Sequence, residues 1–241
     1  QDTIQKSNTS DKSTYVNNLF SKIAKKYDLL NNLMTFGRHL KWKEDGIKLA
    51  LKEVKDCNKA LDLCTGTGDL SIILNKLSPK TEITSSDYCD EMLQILNEKV
   101  VKYSLKNIVV KKIDSENIDF PKSTFNLVTI GFGLRNLVNK ERCIESIYSV
   151  LKKDGVFMCI DLGHPVNPLW RKIFFTYFYK LVPKMGELFA KDKDAYTYLP
   201  ESLKTWYTQE ELKEILLKKG FAKCFYKNIF GGVVTIHVAK K

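Results

Sequence analysis

Ala60-Leu61-Asp62-Leu63-Cys64-Thr65-Gly66-Thr67-Gly68-Asp69 is the stretch that decides the fold. Ala60 to Leu63 is a short, mostly apolar run that suits a buried strand. Thr65 to Gly68 is a glycine turn, and Leu70, Ile73, Leu74 and Leu77 then share one face of a helix opening at Asp69. Strand, glycine turn and helix form the shape of a nucleotide-cofactor loop. Glycine lets the backbone approach a ligand and adopt positive φ. The helix start offers free N–H groups and the positive end of its dipole. Asp87 follows at the tip of the next strand-like run, Glu82 to Ser86. An acid about 20 residues after such a loop reaches ribose hydroxyls.

A dinucleotide fingerprint asks for Gly or Ala at position 71, and the chain has Ser71. The third small residue allows close helix–strand packing under a pyrophosphate. Its absence points to a cofactor without a pyrophosphate, such as S-adenosylmethionine, and leaves a dinucleotide-dependent oxidoreductase as the rival.

Working outward, strands are expected at 59–63, 81–86, 108–113, 125–130 and 156–160, with helices at 69–78, 90–104 and 139–151 and a turn at 152–155. Regular alternation of this kind predicts an α/β, Rossmann-like, mostly parallel sheet with helices on both faces. Ligands bind such sheets at the C-terminal ends of the strands. That gathers Cys64–Gly68, Asp87, Asp114 with Ser115, Gly131–Asn136 and Asp161–His164 at one rim.

Upstream, Gln1 to Ser13 is polar and expected to be disordered. Helices over 14–27 and 39–54, the second burying Leu40, Ile47, Leu51 and Val54, flank a loop or broken helix at 28–37 and form a cap over the cofactor. Downstream, 164–207 breaks the alternation with an aromatic helix (Trp170, Phe174, Phe175, Tyr177, Phe178, Tyr179) flanked by basic residues. It suits the lid of an apolar pocket, a membrane-facing element, or a helix packed on the core. Thr208 with Glu211 is a capping box opening a helix over 208–219, which Gly220 stops. Strands over 221–226 and 233–238, joined at Phe230-Gly231-Gly232, close a seven-stranded sheet with an antiparallel hairpin. Residues 14–241 thus read as a single domain: cap (14–56), core (57–163), insertion (164–207), and C-terminal helix with hairpin (208–241).

At 241 residues the chain has ample material for one core. Its six cysteines are scattered without C-x-x-C spacing, which suggests neither a zinc site nor a redox pair and fits a reducing compartment. No apolar run is long enough to span a bilayer. The chain begins at Gln1, and the residues there resemble neither a signal h-region nor an Arg-rich transit peptide. The net charge of +11 is unevenly placed: residues 57–150 are neutral, 1–56 carry +4 and 151–241 carry +7. Basic flanks can meet an anionic membrane. Because 35 of the 39 basic residues are Lys, and phosphate or base recognition leans on Arg, nucleic acid is not favoured.

Several further motifs occur in order: Lys25-Lys26-Tyr27-Asp28-Leu29-Leu30-Asn31, Phe36-Gly37-Arg38 with Trp42-Lys43, Gly66-Thr67-Gly68-Asp69, Phe132-Gly133-Leu134-Arg135-Asn136, Asp194-Ala195-Tyr196-Thr197-Tyr198-Leu199 with Glu201-Ser202, and Gly231-Gly232-Val233-Val234. Through them the chain, from about Val16 to Val238, resembles the UbiE/MenG family. These are class I S-adenosylmethionine-dependent methyltransferases, the C-methyltransferases of ubiquinone and menaquinone biosynthesis. The glycine motif is shared by the whole class; the others are far more specific.

The resemblance implies S-adenosylmethionine as cofactor, bound by Gly66, Thr67 and Gly68 in the loop, Asp87 at the ribose, and Asp114 with Ser115 beside the adenine. Gly131, often Ser in the family, would contribute backbone only. It implies methyl transfer to a ring carbon of a polyprenylated quinol, first demethylmenaquinol, alternatively the benzoquinol of ubiquinone synthesis. A ring carbon becomes nucleophilic when a ring hydroxyl ionises. Arg135 suits the resulting phenolate but is a poor base. Asp161 and His164, the latter standing where the family often has Lys, are the candidate bases. Tyr27, Asn136, Tyr196 and Tyr198 are candidate substrate-pocket residues, and no metal is called for. The prenyl tail implies docking on an anionic membrane. The expected location is therefore the cytoplasm at a membrane surface, or a mitochondrial matrix or plastid in a eukaryote. A homodimer and a biosynthetic complex both stay open. So does a silent, methyltransferase-like assembly protein, against which Thr67, Asp87 and Arg135 argue.

Overall fold

The alternating pattern folds, in a computed structural model that describes residues 2–181 and 202–241, into one seven-stranded sheet with helices around it. The strands are β1 (Lys59–Leu63), β2 (Glu82–Asp87), β3 (Ile108–Lys112), β4 (Phe125–Gly131), β5 (Leu151–Leu162), β6 (Lys223–Ile229) and β7 (Val234–Lys240). Their order is β3-β2-β1-β4-β5-β7-β6. The β1, β2, β3, β4 and β5 pairings are parallel, while β7 runs antiparallel to both β5 and β6. The order reverses between β1 and β4, which is where an open parallel sheet makes its ligand crevice.

Leu61, Leu63, Leu127, Ile130, Phe157 and Ile160 lie fully buried on the central strands, as expected for strands covered on both faces. Each such side chain contributes about 2 kcal/mol by leaving water. Three helices cover the sheet after their strands: α4 (Asp69–Leu77), α5 (Asp90–Lys102) and α6 (Lys140–Val150). The expected turn at 152–155 sits inside β5 as an interruption of its ladder. Phe125 pairs with Leu151 and the next partners are Leu127 and Val156, with Asp154 at φ 62.

The N-terminal part departs from expectation. Helix α1 spans Asp2–Ile23, so residues 2–13 are helical rather than disordered; no Gly or Pro interrupts that run. A 3₁₀ turn (Ala24–Lys26) leads into the short helix α2 (Tyr27–Thr35), so of the expected loop or broken helix the structure has the broken helix. Phe36 and Gly37, at φ 51 and 72, turn the chain into α3 (Arg38–Glu53). The buried face of α3 is His39, Lys43, Gly46, Ile47 and Ala50. Leu40 is exposed, contrary to expectation: it lies off this stripe, which includes two polar residues. Gly46 lets α3 lie close on the sheet, since a Cβ there would stand 3.2 Å from Met158 Sδ.

The aromatic insertion begins with α7 (Pro168–Thr176) and a π turn (Tyr177–Leu181). Asn167 caps it, accepting from the N–H groups of Leu169 and Trp170, with Pro168 at the first helical position. Phe174 and Phe178 are buried and stacked at 5.1 Å. The C-terminal helix α8 (Gln209–Lys218) carries the capping box in full.

Candidate active site

Asp62, in the middle of β1, anchors the glycine loop from below. It is fully buried, and its carboxylate accepts from Thr65 Oγ1 (2.6 Å), Ser71 Oγ (2.7 Å) and Thr129 Oγ1 (2.7 Å). Ser85 Oγ donates in turn to Ser71 Oγ at 2.6 Å. Position 71 therefore serves this buried network, which gives Ser a local purpose where a dinucleotide loop has Gly or Ala. Burial pushes the Asp62 carboxyl upward, against the three hydroxyls. Gly68 at φ 92 starts α4; a Cβ there would stand 2.2 Å from Leu96 Cδ1.

A small cavity opens above the loop, at the tips of β1, β2 and β4. It is lined by Gly66, Asp87, Asp114, Ser115, Gly131 and Asn136, among others. Asp87 is oriented by three backbone N–H groups: Gly66 donates to Oδ2 (2.8 Å), Tyr88 and Cys89 to Oδ1 (2.8 and 3.0 Å). Burial pushes its carboxyl upward and these N–H groups oppose that. Asn136 Oδ1 is buried without a hydrogen-bond partner, while Nδ2 donates to the Phe132 carbonyl. Asn136 therefore belongs to this small cavity, and not to the larger one where a substrate residue was expected. Thr67 and Gly68 do not line it. The Thr67 hydroxyl points to the cap and donates to Asp28 Oδ1 at 2.5 Å.

That bond is one of two latches holding the cap on the loop. Asp28, on α2, also takes Lys99 of α5 at 2.7 Å. On α3, buried Lys43 meets Asp69 at 2.6 Å, at the start of α4. Burial pushes Asp69 up, but the Lys43 ammonium outweighs it and holds the carboxyl below its usual range. His39, one turn before Lys43, is 4% exposed, with Nδ1 3.7 Å from Asp69 Oδ2.

Under the cap lies a larger cavity of about 570 Å³, walled mostly by apolar side chains of α1, α2, α3, α7 and the β6–β7 turn. Tyr27, Phe20 and Phe132 line both cavities and so form the partition between them. Burial pushes the Tyr27 hydroxyl upward; Lys43, Asn31 and Arg135 pull it down. Arg135 is buried at the inner end, where its Nη1 contacts Asp161 Oδ1 at 2.5 Å and the Phe132 carbonyl at 2.8 Å. Its Nε reaches Ser202 Oγ at 3.3 Å, and its backbone N–H meets Asp161 Oδ2.

Two expected bases are thereby committed elsewhere. Both Asp161 oxygens bond to Arg135, and Asp161 does not line the cavity. His164 lies outside the cavity as well, with Nε2 3.1 Å from the Trp206 carbonyl and its backbone tied to Gln209. Tyr196 and Tyr198 lie outside the described residues. Asp28, His39, Lys43, Asp62 and Asp69 escaped the motif-based expectations, although Asp28, Lys43 and Asp69 stand within the quoted motifs. Their roles arise from contacts between distant segments.

The family model for the ubiE/COQ5 methyltransferase family matches residues 8–241. The chain belongs to this family. Among relatives, the ubiquinone/menaquinone biosynthesis C-methyltransferase UbiE of Methylococcus capsulatus is 35% identical, over 94% of this chain and 92% of the relative. The protein of the same name from Shewanella pealeana is 36% identical over 95% and 92%. A SAM-dependent methyltransferase from Aquifex aeolicus shares the fold, with a TM-score of 0.56 at 22% identity over 80% of this chain and 88% of that one. This ubiE/COQ5 family chain is an S-adenosylmethionine-dependent C-methyltransferase. Its small cavity suits that cofactor: an oriented carboxylate at the tip of β2 and the unpartnered Asn136 Oδ1 both line it. Membership of the family sets the dinucleotide alternative aside.

Proposed function

We propose that the chain methylates a ring carbon of a polyprenylated quinol, converting demethylmenaquinol to menaquinol. The observation that carries this is the 570 Å³ apolar cavity that shares Tyr27, Phe20 and Phe132 as wall residues with the small cavity, and that is lined also by cationic Arg135 and Lys43. An apolar chamber suits a quinol with a prenyl tail, and aromatic walls suit a fused naphthalene ring. Bound S-adenosylmethionine supplies an electrophilic methyl group. The protein's part is to exclude water, hold the ring carbon in line and stabilise the phenolate. Arg135 does the last with a fixed charge, itself held by Asp161. Under this assignment Asp87, Asp114, Ser115 and the Gly66 backbone hold the cofactor, Asn136 completes its cavity, and Thr67 and Gly68 shape the loop.

The same proposal seats the enzyme on an anionic membrane, with the mouth of the cavity facing the lipid. Phe36, Ile173 and Phe230 line the cavity yet are 85%, 51% and 53% exposed. Leu169 and Val166 extend this apolar rim, and Arg38, Arg171 and Lys172 are exposed beside it. Among the described residues no helix is long and apolar enough to cross a membrane. A rim of this kind lets a prenyl tail stay in lipid while its head group enters the protein.

The test offers labelled S-adenosylmethionine with reduced demethylmenaquinol and, in parallel, the demethylated benzoquinol. Preferential labelling of the naphthoquinol is expected. Labelling of the benzoquinol alone would move the chain to ubiquinone synthesis.

A further inference from the structure

With Asp161 and His164 occupied elsewhere, the cavity still needs a group that accepts the quinol proton. We propose that His39 is that group: its Nδ1 takes the proton of the ring hydroxyl next to the carbon that is methylated. This rests on the quinol assignment above and deepens it.

Among the described residues lining the cavity, His39 is the sole imidazole, and no carboxylate lines it. Its other ionisable residues are Tyr27, Arg38, Lys43, Arg135 and Tyr177. Lys43 is paired with Asp69, Arg135 with Asp161, and the Tyr177 hydroxyl donates to the Met34 carbonyl. His39 is different. Nε2 lies 3.1 Å from Asn32 Oδ1, an acceptor, so the ring proton sits on Nε2 and Nδ1 presents a lone pair. That Nδ1 is buried and has no hydrogen-bond partner. An unsatisfied buried acceptor is costly unless a ligand completes it. A quinol hydroxyl is a donor of the right kind.

The surroundings keep the ring ready to accept. Burial first, and the Lys43 ammonium second, hold its pKa below the ordinary value, while Asp69 and Asp28 oppose them. These are the charged groups that face it, from α3, α4 and α2. The imidazole is therefore neutral at physiological pH. Asp69 Oδ2, 3.7 Å from Nδ1, is itself an acceptor and so leaves the lone pair free, and it stands close enough to stabilise the imidazolium as it forms.

The step balances. The hydroxyl O–H bond breaks, its proton moves to Nδ1, and the oxygen electrons feed the ortho carbon. That carbon forms its bond to the methyl group, whose sulfonium bond breaks with both electrons left on sulfur. The ring carbon then loses its hydrogen as a proton to solvent, and the oxygen recovers its own from the imidazolium. One proton is released per turnover.

The experiment measures kcat/KM for the reduced quinol from pH 5 to 8 in the wild type, His39→Gln and His39→Ala, with S-adenosylmethionine binding recorded for each. The wild type should lose activity below pH 6.5 along a single acid limb. His39→Gln should bind the cofactor normally, lack that limb and fall about 100-fold or more. His39→Ala should regain part of its rate on added imidazole. Activity in His39→Gln within threefold of wild type, with the limb intact, would overturn the assignment. A flat wild-type profile would do so too, even if both variants failed to fold. If the wild type methylates no quinol, the functional proposal itself fails and this assignment falls with it.

Discussion

At the scale of single residues, Arg135 and Asp161 form a buried pair whose members are each less than 6% exposed. Taking one charge away leaves the other uncompensated in low dielectric. Asp161→Asn should lower the unfolding free energy by about 3 kcal/mol, seen in a urea titration. Adding Arg135→Met should recover most of that loss while leaving the enzyme inactive. His237 provides a second, pH-dependent test. Burial holds its imidazole at about 4, below the ordinary 6.5, with Nε2 bonded to the Gln209 carbonyl at 2.8 Å. Between these values the unfolded chain binds the extra proton and the folded one does not. The neutral histidine's contribution is thus fully present above pH 6.5 and is lost as the pH falls toward 4, by about 3 kcal/mol in all. His237→Gln should flatten the stability profile across that window.

Positions were legible where they depend on spacing along the chain. Gly66, Asp87, Asp114, Ser115 and Gly131 all line the small cavity at the strand tips because strand–loop–helix order dictates which ends meet. Roles set by partners far apart in sequence were not. Thr67 turns to Asp28, 39 residues away, and Asp161 to Arg135, 26 away. No local pattern announces that a hydroxyl will leave its loop to bond the cap.

At the scale of elements, the capping box was readable because its two halves lie three residues apart. The Thr208 hydroxyl accepts from the Glu211 N–H, and Glu211 Oε2 accepts from the Thr208 N–H at 2.7 Å. Thr208→Ala should cost about 1 kcal/mol in thermal or urea unfolding, with little effect on cofactor binding. The α2 segment was harder to read. Asp28 to Gly37 carries two Asn and no capping signal at its start, yet it is helical as far as Thr35 because Leu30 packs into the core and Asp28 is held at both oxygens. Tertiary contacts override weak local preference there.

At the scale of the whole molecule, a mostly parallel sheet ending in an antiparallel hairpin could be expected from βα alternation and the C-terminal pattern, whereas the cavity could not. It is assembled from α1, α2, α3, α7 and the β6–β7 turn, which are distant in sequence. The exposed rim of Phe36, Ile173 and Phe230 has the same origin. The combined Phe36→Asp, Ile173→Asp variant should reduce co-sedimentation with anionic liposomes about tenfold or more, given roughly 1.5–3 kcal/mol for each buried apolar side chain. Methylation of a short-tailed, water-soluble quinol should persist. Undiminished sedimentation would place the membrane contact elsewhere.

The most direct test of the central claim is methyl transfer to demethylmenaquinol in its reduced and oxidised forms, with wild type and Arg135→Ala side by side. A labelled ring carbon is expected from the reduced form only, with loss of that label in Arg135→Ala while cofactor binding is retained. Equal labelling of the oxidised quinone, or full turnover by Arg135→Ala, would contradict a mechanism in which a phenolate is formed and held by this site.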